Sequence, residues 1–371
     1  MLDTKNTVEL RILKTMLGLY IVFAIILAGL NYGYVSQAPP SVGAFITRLW
    51  HFYENWIKTL FIIIGSFLTL RIIGTSQRSI MRKRNLTGFI IAALIVHIAA
   101  PIFLHNHEIY FFAMPLPWTT TPLQLLYPDS SIYLSRYPLW GTAGISAALI
   151  FYSCVSVIIL GGTLLFGRRW QCSTLCLFNG FASEIFDPAF PLIGKNRKMK
   201  KNMLKTFTIL RWIFLLLSLF FTFWWILFLS GVQIFGNFQL ISQIENYKYL
   251  SAELLMMMFF WVAFIGRGYC YYCPLGTVLS LLSKLAGQRI ITDKSKCIKC
   301  NRCNIACPMS IDIKSMAQIG QVVTDSRCVG CGHCVDICPT KTLDYSTKFL
   351  DWVQKRKGLN ILHNFIQVIV F

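Results

Sequence analysis

Hydrophobic and polar positions alternate along this chain in long blocks. Six apolar runs, near 12–31, 56–74, 87–104, 142–166, 206–230 and 249–266, each approach the length that crosses a bilayer as a helix, about 20 residues at 1.5 Å rise. Polar links separate them, and after the sixth run the pattern changes to short cysteine-rich loops over 287–345. The chain ends in a basic stretch from Lys348 to Lys357, broken at Gly358, and an apolar tail that would reach only about 20 Å even if helical. This pattern predicts an α-helical membrane protein. A six-helix transmembrane domain occupies 1–286, a compact cysteine-rich domain 287–345 and an interfacial tail 346–371.

Charge sets the expected orientation. Basic residues gather at the start (Lys5, Arg11, Lys14), after the second run (Arg71, Arg78, Arg82, Lys83, Arg84) and after the fourth (Arg168, Arg169, Lys195, Arg197, Lys198, Lys200, Lys201, Lys205). The alternate links hold only Arg48, Lys58, Arg136 and Lys248, so the positive-inside rule predicts both termini in the cytoplasm of a prokaryotic inner membrane. The first run reads as an anchor and not as a cleaved signal, because its apolar stretch is long. The link 105–141, rich in Tyr, Trp and Pro, is expected to cap the outer face. Composition agrees: 55% hydrophobic residues are too many for a soluble fold. The +20 net charge lies between apolar spans, so it reports topology and excludes a nucleic-acid surface.

Twelve of the thirteen cysteines fall in four short clusters, which points to metal ligation in a reducing compartment and away from disulfides. Residues 297–308 read CIKCNRCNIACP and 328–339 read CVGCGHCVDICP. In each, three thiolates can wrap one iron–sulfur cube while the fourth reaches across to the other cube. The spacing therefore predicts one [4Fe-4S] cluster on Cys297, Cys300, Cys303 and Cys338, and a second on Cys328, Cys331, Cys334 and Cys307. Zinc would leave the third and fourth cysteines of each run unexplained. The pair of runs resembles the two-cluster bacterial ferredoxin, which implies a small α+β domain.

The fourth and sixth helices run out into related sequences: Gly167, Arg168, Cys172, Cys176, Gly180 against Gly266, Arg267, Cys270, Cys273, Gly276. Two equivalent half-sites at one membrane face predict one four-thiolate site, for a third iron–sulfur cluster or a mononuclear iron, with Arg168 and Arg267 offsetting thiolate charge. Separate buried thiols, a disulfide or zinc are the alternatives.

Taken together, six spans, paired Gly-Arg/Cys motifs and the C-terminal dicluster segment resemble the membrane polyferredoxins of the NapH/NosR type, with the oxidase-assembly ferredoxin CcoG a more distant relative. In that family the helix-end motif is commonly Cys-x-x-x-Cys-Pro. Here the first copy has Leu177 in place of proline, and the second keeps Pro274 but is one residue shorter. The chain shows neither the leading flavin-binding domain of the NosR branch nor the trailing sandwich domain of CcoG, so a NapH-like architecture is expected. The resemblance implies electron transfer between the quinone pool and partner redox subunits, with a periplasmic reductase as end user. An electron-supplying assembly factor is the alternative. A redox-driven ion pump is disfavoured because the spans carry almost no ionisable groups.

The exceptions are few. His97, near mid-span, offers a quinone contact or a helix-packing hydrogen bond; a haem would need a second histidine at its depth. His51, His105, His107 and Glu108 near the outer face read as solvated loop residues, with a quinol or metal site as the alternative. Glu253 is the one carboxylate well inside a predicted span, and Cys154 reads as an apolar filler.

Overall fold

The computed structural model describes residues 8–35, 37–73, 79–126, 131–186, 199–232, 237–263 and 267–355. Gly266, Lys195, Arg197, Lys198, Arg78, Lys5 and the tail from 356 onward lie outside the described residues. The helices are α1 (Val8–Tyr34), α2 (Pro40–Ile73), α3 (Ile80–Phe103), α4 (Ser131–Phe166), α5 (Gly180–Phe186), α6 (Lys201–Leu229), α7 (238–263) and α8 (Pro274–Leu285). Among the described residues five are long and apolar enough to cross a membrane: α1, α2, α3, the Ser146–Phe166 part of α4, and α6. Apolar side chains such as Leu19, Val157 and Phe223 are 67%, 70% and 63% exposed on their outer faces. A soluble surface would not leave so many uncovered, and lipid does. The chain is a multi-pass membrane protein.

Three expectations need correction. α2 begins at Pro40, sixteen residues before the predicted start at 56, with proline setting its first turn. Lys58 counts in the sequence as part of a polar link, but it pairs with Glu54 along the helix at 2.8 Å and both are largely buried, so the helix continues through them. Arg48 likewise lies on α2. Second, the link 105–141 is not a cap. Its last part from Ser131 belongs to α4, Pro138 included, and its first part folds into the bundle. There the Leu116 amide donates to the Tyr152 hydroxyl at 2.9 Å, and the Trp118 and Phe178 rings sit 5.1 Å apart. Third, the sixth run extends back to Phe238 and includes Glu245, Lys248 and Glu253, polar residues that keep α7 out of the apolar group above.

Several helices contain π-helical turns, among them Tyr53–Ile57 in α2, Leu94–Ala99 in α3 and Tyr249–Leu255 in α7. Such wide turns are costly and gather at functional sites.

Beyond α8 the chain forms a small α+β unit. Strands β1 (Arg289–Thr292) and β2 (Leu343–Ser346) pair antiparallel, Arg289 opposite Ser346, and bracket both cysteine runs. Each run turns into a short helix, Arg302–Ala306 in the first and His333–Asp336 in the second. The two halves repeat the same backbone: Lys299 and Asn301 in one, Gly330 and Gly332 in the other, all in the left-handed region. Glycine is required only in the second copy, where a Cβ on Gly330 would stand 2.6 Å from the Arg169 Cβ and one on Gly332 would stand 2.6 Å from the Met81 Cβ. The second loop is pressed against the membrane domain at both glycines, whereas the first run meets it past Cys307, where the Tyr271 hydroxyl donates to the Pro308 carbonyl at 3.2 Å. Gly330→Ala is therefore expected to loosen the domain from the bundle, read as faster proteolytic release of the C-terminal part, while Lys299→Gly leaves the release rate unchanged.

Candidate metal centres

The second predicted ligand set is brought together by the fold. Cys307, Cys328, Cys331 and Cys334 line one apolar pocket with Ile290, Met309 and Val323. Cys307 arrives from the first run, as the interlocking pattern requires. Backbone N–H groups point at the sulfurs: Met309 and Ile311 at Cys307, Gly330 at Cys328, and His333 at Cys331. Burial pushes the Cys307 thiol up to about 11 and the Cys331 thiol to about 12. At neutral pH these thiols keep their protons unless a metal displaces them.

The first set lies at the open edge. Cys303 feels Cys300 and Cys338 as neighbours, after burial the main causes that raise its thiol. The Thr342 amide donates to the Cys338 Sγ at 3.4 Å. Cys300 is exposed and Cys297 half-buried. Amides turned toward sulfur in a dry pocket fit an iron–sulfur cluster, whose charge such donors offset. Among the described residues, no three His, Cys, Asp or Glu side chains converge as ligands of a single ion do. One zinc with bonds of about 2.3 Å draws its four sulfurs within about 3.8 Å of one another. A cube instead carries each thiolate on a separate iron.

The first pair of helix-end cysteines sits on a segment that folds back along α4. The chain reverses at Gly167 (φ +71°), and the π-helical segment Trp170–Leu175 runs back along α4. The Trp170 indole donates to the Ile158 carbonyl at 3.0 Å and the Gln171 amide to the Met114 sulfur at 3.0 Å. Cys172 and Cys176 are thus carried into the bundle on a re-entrant turn. Arg168 Nε donates to the Cys172 Sγ at 3.3 Å and the Asn179 amide to the Cys270 Sγ at 3.0 Å. The Gly276 amide donates to the Cys273 Sγ at 3.3 Å. Burial raises Cys172 to about 11 against the pull of Arg168, with Cys270 and Cys176 adding to the rise. Burial also raises Cys273, and Cys270, Cys172 and Cys176 add to it. All four thiols are therefore mutual neighbours.

A buried polar hub, which the sequence reading missed, joins this site to the second loop. Arg267 donates to the Cys172 carbonyl at 2.8 Å and pairs with Glu184 at 3.4 Å. Glu184, on α5, also meets Arg82 at 3.1 Å and His333 at 2.8 Å. Asn85 donates to Glu184 at 3.1 Å and to the Cys331 carbonyl at 3.0 Å. Arg169 donates to the Gly330 carbonyl at 3.1 Å, Ser173 to the Val329 carbonyl at 2.8 Å, and Gln288 to the Cys328 carbonyl at 3.0 Å. Burial would hold Arg267 below its ordinary value, but Cys270, Cys331 and Glu184 push it above. That guanidinium faces both cysteine groups. A lone carboxylate in the apolar stretch FASEIF was the available sequence signal for the hub.

The other polar candidates stay apart from these centres. His97 is 3% exposed in the π-helical turn of α3, its ring 5.9 Å from Tyr110. His51 lies on α2, 3.4 Å from Glu108, and Glu108 is buried, which corrects the reading of a solvated outer loop for that pair. His105 and His107 are exposed. Glu253 is buried and pairs with Lys248 at 3.3 Å. Cys154 is exposed on α4 and fills no core position.

Paired cysteine loops on a small sheet, docked on an apolar helical bundle, define a ferredoxin-type iron–sulfur electron-transfer protein. Residues 289–339, which contain all eight loop cysteines, match the family of 4Fe-4S dicluster domains. The chain is 30% identical over 160 residues to the methylamine utilization ferredoxin-type protein MauN of Methylobacillus flagellatus, covering 41% of this chain and 53% of that one. It is 28% identical over 163 residues to the uncharacterized protein MJ0750 of Methanocaldococcus jannaschii, covering 42% of this chain and 65% of that one. The uncharacterized MJ0749 of the same organism is 34% identical over 88 residues, covering 23% and 31%. The chain thus spans 31 to 65% of the lengths of these relatives. No solved structure matches.

Proposed function

We propose that this protein is a NapH-like relay between the quinol pool and a partner redox subunit, with a periplasmic reductase as end user. α7 is the sixth span in this reading, and the termini and dicluster domain face the cytoplasm. Cys328, Cys331, Cys334 and Cys307 hold the inner cluster, Cys297, Cys300, Cys303 and Cys338 the outer one. Cys172, Cys176, Cys270 and Cys273 hold a further centre on the re-entrant turn. Iron–sulfur clusters supply one-electron transfer at these positions.

The observation that carries the reading is the seating of the Cys328–Cys334 loop on the re-entrant turn. Arg267 lies between the two thiol groups, with Cys270 and Cys331 both acting on it. The centre in the bundle, the buried loop and the exposed Cys300 then form one continuous series from lipid to solvent. Counting iron and acid-labile sulfide per chain, with EPR, tests it. Wild type is expected to carry more iron than the dicluster domain alone accounts for, and Cys172→Ser is expected to lose only the excess. Equal iron in the two proteins would remove the third centre from the series.

A further inference from the structure

We propose that quinol binds in an aromatic cleft enclosed by α1, α2, α5 and α7, at Glu54 and the Tyr20–Tyr53 pair, and not at His97. This rests on the relay reading above and gives it a site. Counting its open mouth the cleft encloses about 440 Å³, a figure that includes space open to the outside, so a ring is seated here only as the flanking side chains give way. Trp50, Tyr249 and Trp261 supply flat apolar walls. Its polar groups are a Glu54–Lys58 ion pair at 2.8 Å and the Tyr53 hydroxyl, which donates to the Tyr20 hydroxyl at 3.1 Å. An ion pair and two phenols directed into an apolar space within a membrane bundle form an unusual grouping, and such groups mark substrate or proton paths.

Two further features point to the same space. Tyr53 and Glu54 reach the cleft from one π-helical turn, Tyr249 and Leu254 from another. Both wide turns thus turn their residues toward one cleft, which gives these costly distortions a shared purpose. In addition, Leu177 and Phe178 complete the wall and follow Cys176 directly in the chain. A ring held here lies against the re-entrant turn that bears the thiols. His97 is not part of the wall.

The chemistry balances as oxidation of a hydroquinone. Both O–H bonds break and both C–O bonds become carbonyls. An iron–sulfur centre held by Cys172, Cys176, Cys270 and Cys273 would be the oxidant, taking the two electrons one at a time and passing each on to the dicluster domain, while the two protons would pass through Glu54 to water.

The test uses the full-length, cofactor-loaded protein in lipid nanodiscs with a short-chain ubiquinone and its quinol. Oxidised quinone is expected to quench tryptophan emission saturably, and quinol to bleach the cluster absorbance. Glu54→Gln should keep the quenching but slow quinol-driven bleaching about 100-fold. Leu254→Trp fills the cleft and should lose saturable quenching. Both variants should bleach normally with dithionite and keep their iron. Wild-type behaviour in both variants, or a loss confined to His97→Ala, overturns the cleft while leaving the relay intact. A wild-type protein that quinone does not quench and quinol does not bleach overturns both.

Discussion

Replacing Glu184 by alanine is expected to detach the dicluster domain from the bundle and to cost about 3–5 kcal/mol, the usual penalty for leaving buried charge without its partner. The carboxylate is fully buried and meets Arg82, Arg267 and His333 within 3.4 Å. Its loss leaves two guanidinium groups facing each other in a dry interface. Glu184→Gln keeps the volume and one acceptor, so it should cost less. Burial alone would raise the Glu184 carboxyl, but His333, Arg82 and Arg267 outweigh it and hold the group well below the usual carboxylate range. A carboxylate lowered in the folded state stabilises above its unfolded value, about 4.3, and loses that contribution as pH falls toward the folded value. Thermal midpoints of wild type and Glu184→Gln are thus expected to differ at pH 7, and the gap is expected to start narrowing below about pH 4 and to go on narrowing as pH falls further. A constant gap from pH 7 to 3 would show that the charge of Glu184 contributes nothing.

Much of the architecture was legible because it rests on local rules. Apolar blocks locate helices wherever lipid is the solvent, and the repeated three-plus-one cysteine pattern, in which the fourth thiolate reaches across to the other run, grouped Cys307 with Cys328, Cys331 and Cys334, which line one pocket in the fold. What escaped was set by long-range neutralisation. Lys58 looked like part of a link because its pairing with Glu54 along α2 is invisible in a hydropathy pattern. Glu184 is silent in sequence because its partners lie on α3, beyond α7 and in the second cysteine loop. The inward fold of the segment carrying Met114 and Trp118 depends on contacts with Gln171 and Phe178, more than fifty residues away. Glycine placement was a readable clue. Gly330 and Gly332 stand where Lys299 and Asn301 stand in the other half, and that asymmetry marks which loop faces the bundle.

Cys307→Ser is expected to remove the inner cluster and leave the outer one, although Cys307 belongs to the first cysteine run. A one-run, one-cluster arrangement predicts the reverse. The difference arises because Cys307 opens into the pocket of Cys328, Cys331 and Cys334 and is buried there. Cys297, Cys300, Cys303 and Cys338 keep all their thiolates, so roughly half the dicluster iron should remain. The location of that remnant decides the matter. With Cys300 exposed, iron left at the outer position is open to solvent and should be stripped quickly by a water-soluble chelator. Cys303→Ser should leave the opposite remnant, enclosed by Val329, Met309 and Ile290, which resists the same chelator. Quinol should no longer reduce the iron left in Cys307→Ser, because the position nearest the re-entrant turn is empty, whereas dithionite should still reach it from solvent. Chelator-resistant iron in Cys307→Ser would reverse the assignment of the two sets and, with it, the order in which electrons cross this protein.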